Sequence, residues 1–297
     1  MSVADKNKIE KMIDSNHVSA MECYCEENEG VPMIRFHCLD EHEFVSLAFS
    51  TRFGGVSTKD YLSSMNFGWD RGDDIENVRE NYRRMCRVLK ADYRKLILSD
   101  QVHDSKVEYV DERYAAGENI EKKLKGIDGM VTDKKGFVLA TSYADCVPLF
   151  FVDVKNKVIG SSHSGWRGTV ARIGQKTVRK MEDCLGTKAK DLICIVGPSI
   201  CRNCYEVSED VAAEFQREFK NSGDNVKNIV RRKQGTADKY LLDLWEANRV
   251  QFIEAGVTEE NIHISGICTC CNPNILYSHR ASRGKRGNLN GFIMLRE

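Results

Sequence analysis

The stretch from Gly136 to Thr169, GFVLATSYADCVPLFFVDVKNKVIGSSHSGWRGT, constrains the fold more than any other part of the chain. An apolar run from Phe137 to Ala140 leads to Ala144-Asp145-Cys146. A second, Val147 to Val154, ends at the polar turn Lys155-Asn156 and is followed by Lys157 to Gly160 and then His163. Two β-rich runs about a short Asn-containing turn read as an antiparallel hairpin. With Lys155 and Asn156 as the loop, Cys146 stands opposite Gly165 and Pro148 opposite His163. Side chains alternate with period two, so Cys146 and His163 share a face as diagonal neighbours, roughly 7–8 Å apart at Cα. Such a pair suits two ligands of one metal, or a thiol and its base. A one-residue change in the loop would send them to opposite faces.

The 297 residues suffice for one large domain or two small ones. Lys plus Arg balances Asp plus Glu at 44 each, so no global field favours nucleic acid or an anionic membrane. There is no apolar run of about 18 residues to span a bilayer. The N-terminal MSVADKNKIEKMIDSN lacks a signal-peptide apolar stretch, which places the protein in the cytosol. In that compartment twelve cysteines need a reading other than disulfides. Cys23, Cys25, Cys38, Cys86, Cys184 and Cys194 lie in strand-like or helical runs and read as small apolar filler. Cys201 and Cys204 form a CxxC, and Cys268, Cys270 and Cys271 a tight cluster. A structural zinc on Cys201, Cys204, Cys268 and Cys271 fits the ligand type. The 63 positions between Cys204 and Cys268 are far more than a zinc ribbon uses, and buried reduced thiols are the alternative.

Residues 1–30 are polar and read as a helix or loose lead-in; 31–297 read as one α/β domain, without repeats or a linker. Strands are expected at 33–38, 43–50, 96–98, 107–110, 128–131, 191–196 and 261–265, and helices at 76–90, 170–184, 208–220 and 243–255. Gly54 and Gly55 follow Arg52 in STRFGGVS, where main chain can come close to an anion, although a surface turn explains these residues equally well. His103 ends an apolar strand in DQVH. Thr169 is a plausible N-cap, and the Gly-rich entry SGWRGT with Arg167 suits an anion; without a GK[ST] ending it is no P-loop. Arg280, Arg283, Lys285 and Arg286 form a basic run that is either a solvated loop or one wall of an anionic pocket.

Taken together, FSTRFGGVS, DQVH, ADCVPLFF, HSGWRGT, GPSICRNCYEV, DLWEANRVQF and CTCCNPNILYSHR resemble, in that order, the YfiH-like, laccase-domain family, whose members have been described as polyphenol oxidases and as purine nucleoside enzymes. The resemblance runs from about Ser46 to the C-terminus. It implies a single α/β domain with a mixed sheet flanked by helices, and a metal held by His103, Cys146 and His163. Two imidazoles and one thiolate with an open fourth position are the ligand set of a catalytic zinc. The implied activity is phosphorolysis of purine nucleosides (adenosine, inosine and methylthioadenosine among them), with phosphate as second substrate and adenosine deamination as an additional reaction. This chain has Asp104 where the family has glycine, Ser164 where it has alanine, and Arg283 where smaller residues are usual.

On this reading Arg52 and Arg167 are the candidates for holding phosphate, and Asp145 is the nearest proton carrier. The nucleotide-deaminase pairing of HxE with PCxxC is absent, so deamination here would be built differently. Two rivals remain. A cysteine hydrolase or amidase would use Cys146 as nucleophile and His163 as base, but gives His103 no necessary role. A copper-dependent polyphenol oxidase of the multicopper type needs many histidines, and the chain has seven, scattered.

Overall fold

The strands Val147–Asp153 and Val158–Ser164 are buried at every position, which is what near-continuous apolar runs covered on both faces produce. Their register is the one the sequence implies: Pro148 pairs with His163 and Val147 with Ser164. The connection is longer than the two residues expected, running from 154 to 157. Because it grows by one residue on each side, the register and the facing of every side chain are preserved. Asp153 holds the turn, its carboxylate accepting the N–H groups of Lys155 and Asn156 at 2.9 Å each. The Asn156 amide also donates to the Gly186 carbonyl at 3.2 Å.

This computed structural model describes residues 3–15, 23–222 and 225–297. The hairpin lies in a six-stranded sheet with spatial order Ile262–Ile264, Leu192–Val196, Val147–Asp153, Val158–Ser164, Gly129–Thr132 and Val107–Tyr109. The outermost pair at each end is parallel and the inner pairs are antiparallel. A seven-stranded sheet has the order Cys23–Asn28, Val31–Phe36, Val45–Ser50, Leu289–Leu295, Val138–Tyr143, Leu96–Asp100 and Leu124–Lys125, and is also mixed. A small antiparallel sheet of Glu206–Ser208, Lys239–Leu242 and Val230–Arg232 completes the strands. The α/β class with mixed sheets and flanking helices is therefore as expected, but distributed over two large sheets rather than one.

Alternation along the hairpin builds the layers. Phe150, Val152 and Ile159 enter the core shared by the two sheets, with Phe36, Phe49, Leu139 and Ile293. Leu149 and Phe151 point the other way, onto Ile173, Val178 and Met181 of the Ile173–Leu185 helix and Phe252 of the Leu244–Glu254 helix. Each such fully buried side chain contributes roughly 1.5–3 kcal/mol. Gly291 lets the sheets touch: a Cβ there would lie 2.4 Å from the Phe150 ring. On the outer face of the seven-stranded sheet the Ile75–Val88 helix packs Val78, Tyr82 and Met85.

Three expectations change. Of the two readings of residues 1–30 the helix holds, over Val3–Ser15, but it is packed rather than peripheral: Ile9, Met12 and Ile13 are buried in the core, and Cys23–Asn28 pairs along its whole length with Val31–Phe36. Leu289–Leu295, unforeseen behind the basic run, occupies the middle of the larger sheet. The helix expected at 170–184 is interrupted. A single turn, Trp166–Val170, is capped by Gly165, and Arg172 then adopts a left-handed conformation (φ 62°) before Ile173–Leu185 begins. Arg172 is held there by Glu218 and Glu254, at 2.7 and 2.6 Å. Thr169 is thus inside the first turn rather than a cap, its hydroxyl donating to the Gly165 carbonyl at 2.9 Å. Among the described residues no helix is long and apolar enough to cross a membrane.

Candidate active site

Asp128 is the residue on which the site is built. It is fully buried, just before the Gly129–Thr132 strand. Its carboxylate accepts three consecutive backbone N–H groups, from Val102, His103 and Asp104, at 3.0, 3.0 and 3.1 Å. That cradle forces the chain to turn sharply after the Leu96–Asp100 strand and holds His103 at φ 62°. Gln101 fixes the same turn from the other side. Its amide donates to the Ser142 carbonyl at 2.9 Å and accepts the Ser142 N–H at 2.7 Å. One Asp128 oxygen also lies 2.8 Å from Nδ1 of His163, whose side chain is 3% exposed.

Because Nδ1 of His163 is engaged, its Nε2 is the nitrogen left to face Cys146. Cys146 ends the turn at 144–146 where the Val138–Tyr143 strand crosses from one sheet to the hairpin of the other. The His103 and His163 rings stand edge to face with centroids 4.8 Å apart. One donor atom from each of His103, Cys146 and His163 lies within 4.8 Å of the others. A Cβ on Gly165 would come 3.2 Å from Cys146 Sγ and from the His103 ring, so the space among these donors exists because residue 165 has no side chain. The structure brings together the three residues expected as ligands, and their chemistry fits a metal with one open position.

Charges in the site support one another. Burial disfavours the charged form of each group, yet the His163 charge and hydrogen bonds from both imidazoles bring the Cys146 thiol down to about 6. Burial likewise opposes protonation of His163, while the Cys146 thiolate and the Asp128 carboxylate lift it to about 9. Asp128, despite its burial, is held below the usual carboxylate range by His163 and by the loop amides. These directions describe the metal-free protein, in which the thiolate and imidazolium stabilise each other.

The donors open into a cavity of about 580 Å³, within the range typical of small-molecule sites. Phe67, Trp69, Trp166 and Tyr205 supply aromatic wall, and Arg71, Arg167, Arg280 and Arg286 line it with positive charge. Arg167 lies over the Trp166 ring at 4.4 Å and Arg280 over Tyr205 at 5.4 Å. Arg71 and Arg286 both donate to Oδ1 of Asn288. Burial and the neighbouring Arg71 charge lower Arg286 to about 10, and its Nε is buried without a partner. Among the described ion pairs none of these four arginines has a carboxylate partner. A larger groove of about 850 Å³, along Glu26, Arg35, Phe44 and Lys157, contains none of the residues of this site.

Other expected residues are placed differently. Arg52 is outside the cavity, its guanidinium donating to the carbonyls of Ser63, Pro273 and Asp60 at 3.0, 2.8 and 3.2 Å. It ties its own segment to the 60–63 and 273 loops, and its guanidinium does not line the cavity. Asp145 lines the cavity, but Thr269 donates to one of its oxygens and the Arg280 N–H to the other, both at 2.6 Å. That arrangement anchors the 279–286 loop. The Gly-rich entry to the Trp166–Val170 turn is too short to act as a helix-dipole cradle, which leaves Arg167 itself as the contribution of that segment. Asp128 and Arg71 were not singled out by the sequence. A signal for Asp128 exists only in retrospect, as an aspartate before a strand parallel to the one that follows the QVH segment.

Residues 46–296 match the family described as multi-copper polyphenol oxidoreductase laccase. The chain belongs to that family. Among curated relatives of the family, the purine nucleoside phosphorylase YlmD of Bacillus subtilis (strain 168) is 35% identical over 255 residues, covering 85% of this chain and 89% of the relative. Adenosine deaminase RL5, from an unknown prokaryotic organism, is 35% identical over 236 residues, 78% of this chain and 87% of its own length. The crystal structure of the Bacillus licheniformis hypothetical protein YfiH superposes with a TM-score of 0.83 at 28% identity, covering 92% of this chain and 99% of that one.

Proposed function

We propose that this chain is a purine nucleoside phosphorylase acting in the 580 Å³ cavity, with His103, Cys146 and His163 holding a zinc ion at its base. The observation that carries this reading is the juxtaposition of that donor group with four arginines that lack carboxylate partners. A cavity with aromatic walls suits a purine, and guanidinium groups whose charge no carboxylate offsets suit a phosphate, which they bind with charge-assisted, often bidentate hydrogen bonds. Zinc bound by two imidazoles and a thiolate supplies a Lewis acid with an open coordination position.

In phosphorolysis a phosphate oxygen bonds to C1′ of the ribose while the bond to the purine nitrogen breaks, its electron pair leaving with the base. The arginines of the wall place the phosphate and offset its charge as it approaches the sugar. Asp145 positions Arg280 through the backbone, and Asp128 positions both imidazoles. The curated relatives fit this reading and not a cysteine hydrolase, although Cys146, His163 and Asp128 are arranged as a thiol, a base and an orienting carboxylate. The deaminase relative supports adenosine deamination as a second activity of the same cavity. We place the protein in the cytoplasm, where the chain's twelve cysteines would be kept reduced and available to bind metal.

The test is turnover of inosine and adenosine by purified protein with and without inorganic phosphate. Ribose 1-phosphate and free base should form only when phosphate is present, and ammonia from adenosine reports deamination separately. Base release that ignores phosphate, or no turnover by metal-loaded protein, would refute the phosphorylase reading.

A further inference from the structure

The second cysteine group has a different character. Cys201, Cys204, Cys268 and Cys271 offer four sulfurs that all lie within 4.8 Å of one another, with Cys204 and Cys271 at 3.4 Å. Four sulfurs about 2.3 Å from one tetrahedral zinc are separated by about 3.8 Å, so the group has the dimensions of that site. A disulfide, at about 2.05 Å between sulfurs, is much shorter than the Cys204–Cys271 separation. The long sequence gap between the two CxxC pairs is closed by topology. Leu192–Val196 and Ile262–Ile264 are adjacent parallel strands, with Val196 paired to Ile264, and each runs on into one CxxC. A further parallel bridge, Ser199 to Cys268, keeps the two segments side by side up to the cysteines.

Backbone geometry at the sulfurs supports the same conclusion. The N–H groups of Cys201 and Cys271 both point at Cys268 Sγ, at 3.2 and 3.4 Å, so the two CxxC segments fold around one sulfur. Cys201 to Cys204 forms a tight turn, with the Cys204 and Tyr205 N–H groups donating to the Cys201 carbonyl at 3.1 and 3.0 Å. We propose that Cys201, Cys204, Cys268 and Cys271 form a closed tetrathiolate site for a structural zinc ion. Four protein ligands leave no open position, so this centre is structural where the His103 group is open. Its location gives it a task. Arg280 of the cavity wall donates to the Cys204 and Glu206 carbonyls at 3.3 and 2.9 Å, and the Ile200 N–H donates to the Asp145 carbonyl at 3.1 Å. The ion fastens two loops distant in sequence behind that wall, with a metal-ligand cross-link contributing to folding.

The test is zinc content of protein purified without chelators, by mass spectrometry of the metal. Two zinc ions per chain are expected. Cys146→Ser should remove one and leave the other, and the paired change Cys204→Ser with Cys271→Ser should do the reverse. Should the paired variant fail to fold, the Cys146→Ser chain loaded with cobalt answers the question by itself, because a tetrathiolate site gives intense thiolate-to-cobalt charge-transfer absorption. One zinc per chain, lost with Cys146→Ser, would overturn the proposal. So would an intact mass showing a Cys204–Cys271 disulfide in the freshly purified, unoxidised protein. Since the two sites are counted separately, the result stands whether or not the phosphorylase reading does.

Discussion

Asp128 and His163 lie 2.8 Å apart, carboxylate oxygen to Nδ1, away from solvent, the aspartate just ahead of the Gly129–Thr132 strand and the histidine within the adjacent Val158–Ser164 strand. The same carboxylate accepts the amides that shape the His103 turn. One buried side chain therefore sets the orientation of two imidazoles that come from different parts of the sequence.

Substituting Asp128 should consequently be felt twice. Asp128→Asn is expected to weaken metal binding by about 10- to 100-fold, as loss of an outer partner to a ligating histidine does. Asp128→Ala, which also strips the acceptor from three amides, should cost roughly 3–5 kcal/mol of stability. The folded carboxyl is held below its usual value of 3.8, so its contribution is fully present above that pH and is lost as the pH falls through the folded value. In metal-free protein, wild type should lose stability on acidification below about pH 4 more steeply than Asp128→Ala. Thermal melts of both proteins at several pH values check this, with equal acid sensitivity counting against the assigned role.

Gly165 makes a sharper probe of the donor group. Its backbone, at φ −70° and ψ 173°, is open to any residue, so alanine there changes occupied space rather than backbone strain. The added Cβ would crowd Cys146 Sγ and the His103 ring at 3.2 Å. Gly165→Ala should keep the wild-type melting temperature in metal-free form within a degree or two, as a change within about 0.5 kcal/mol does. Its affinity for zinc should fall at least tenfold. Unaltered affinity in a metal titration would show that the donors do not close around the space that Gly165 leaves.

How much of this was legible beforehand divides along physical lines. The hairpin was, because continuous apolar runs and a polar turn fix both strands and register, and an insertion symmetric about the turn leaves the register unchanged. His103, Cys146 and His163 were, through the hairpin and the family resemblance together. Asp128 was not, since a buried aspartate owes its place to tertiary contacts from 101–104 and 163 that leave no periodic trace. The Leu289–Leu295 strand hid behind an arginine-rich loop whose charge suggested solvent. Arg52 resembled an anion ligand beside paired glycines, but the carbonyls that take up its donors come from loops as far away as Pro273.

The anion site gives a contrast between arginines. Removing a charge-assisted contact costs roughly 1.5–3 kcal/mol, about a 10- to 150-fold effect. Arg167→Ala and Arg286→Ala should each raise the KM for phosphate by that order while leaving the melting temperature nearly unchanged for the exposed Arg167. Arg52→Ala should do the opposite, lowering stability through three lost carbonyl contacts and changing KM little. Steady-state kinetics against phosphate, paired with thermal melts, separate the two patterns. Unchanged phosphate dependence in both cavity variants would move the anion elsewhere.

The last prediction concerns the state of Cys146. In metal-free protein its thiol is brought down to about 6, whereas an ordinary cysteine sits at 9.0. The thiolate is the form that reacts with iodoacetamide. Labelling of Cys146, followed by peptide mapping, should therefore reach half its maximal rate near pH 6 and be close to its plateau at pH 7. His163→Ala removes the largest favourable influence on the thiolate and should move that midpoint upwards. Loading with zinc should slow labelling at every pH, because the sulfur's electron pair is then committed to the ion, and a chelator should restore the rate. A cysteine nucleophile of the hydrolase kind would behave otherwise, labelling rapidly in the metal-loaded protein with activity indifferent to chelation. Cys271, which is exposed, provides an internal comparison in the same digest. If it forms part of the tetrathiolate site, it too should resist labelling until its metal is removed, and the two cysteines should become reactive at different chelator strengths.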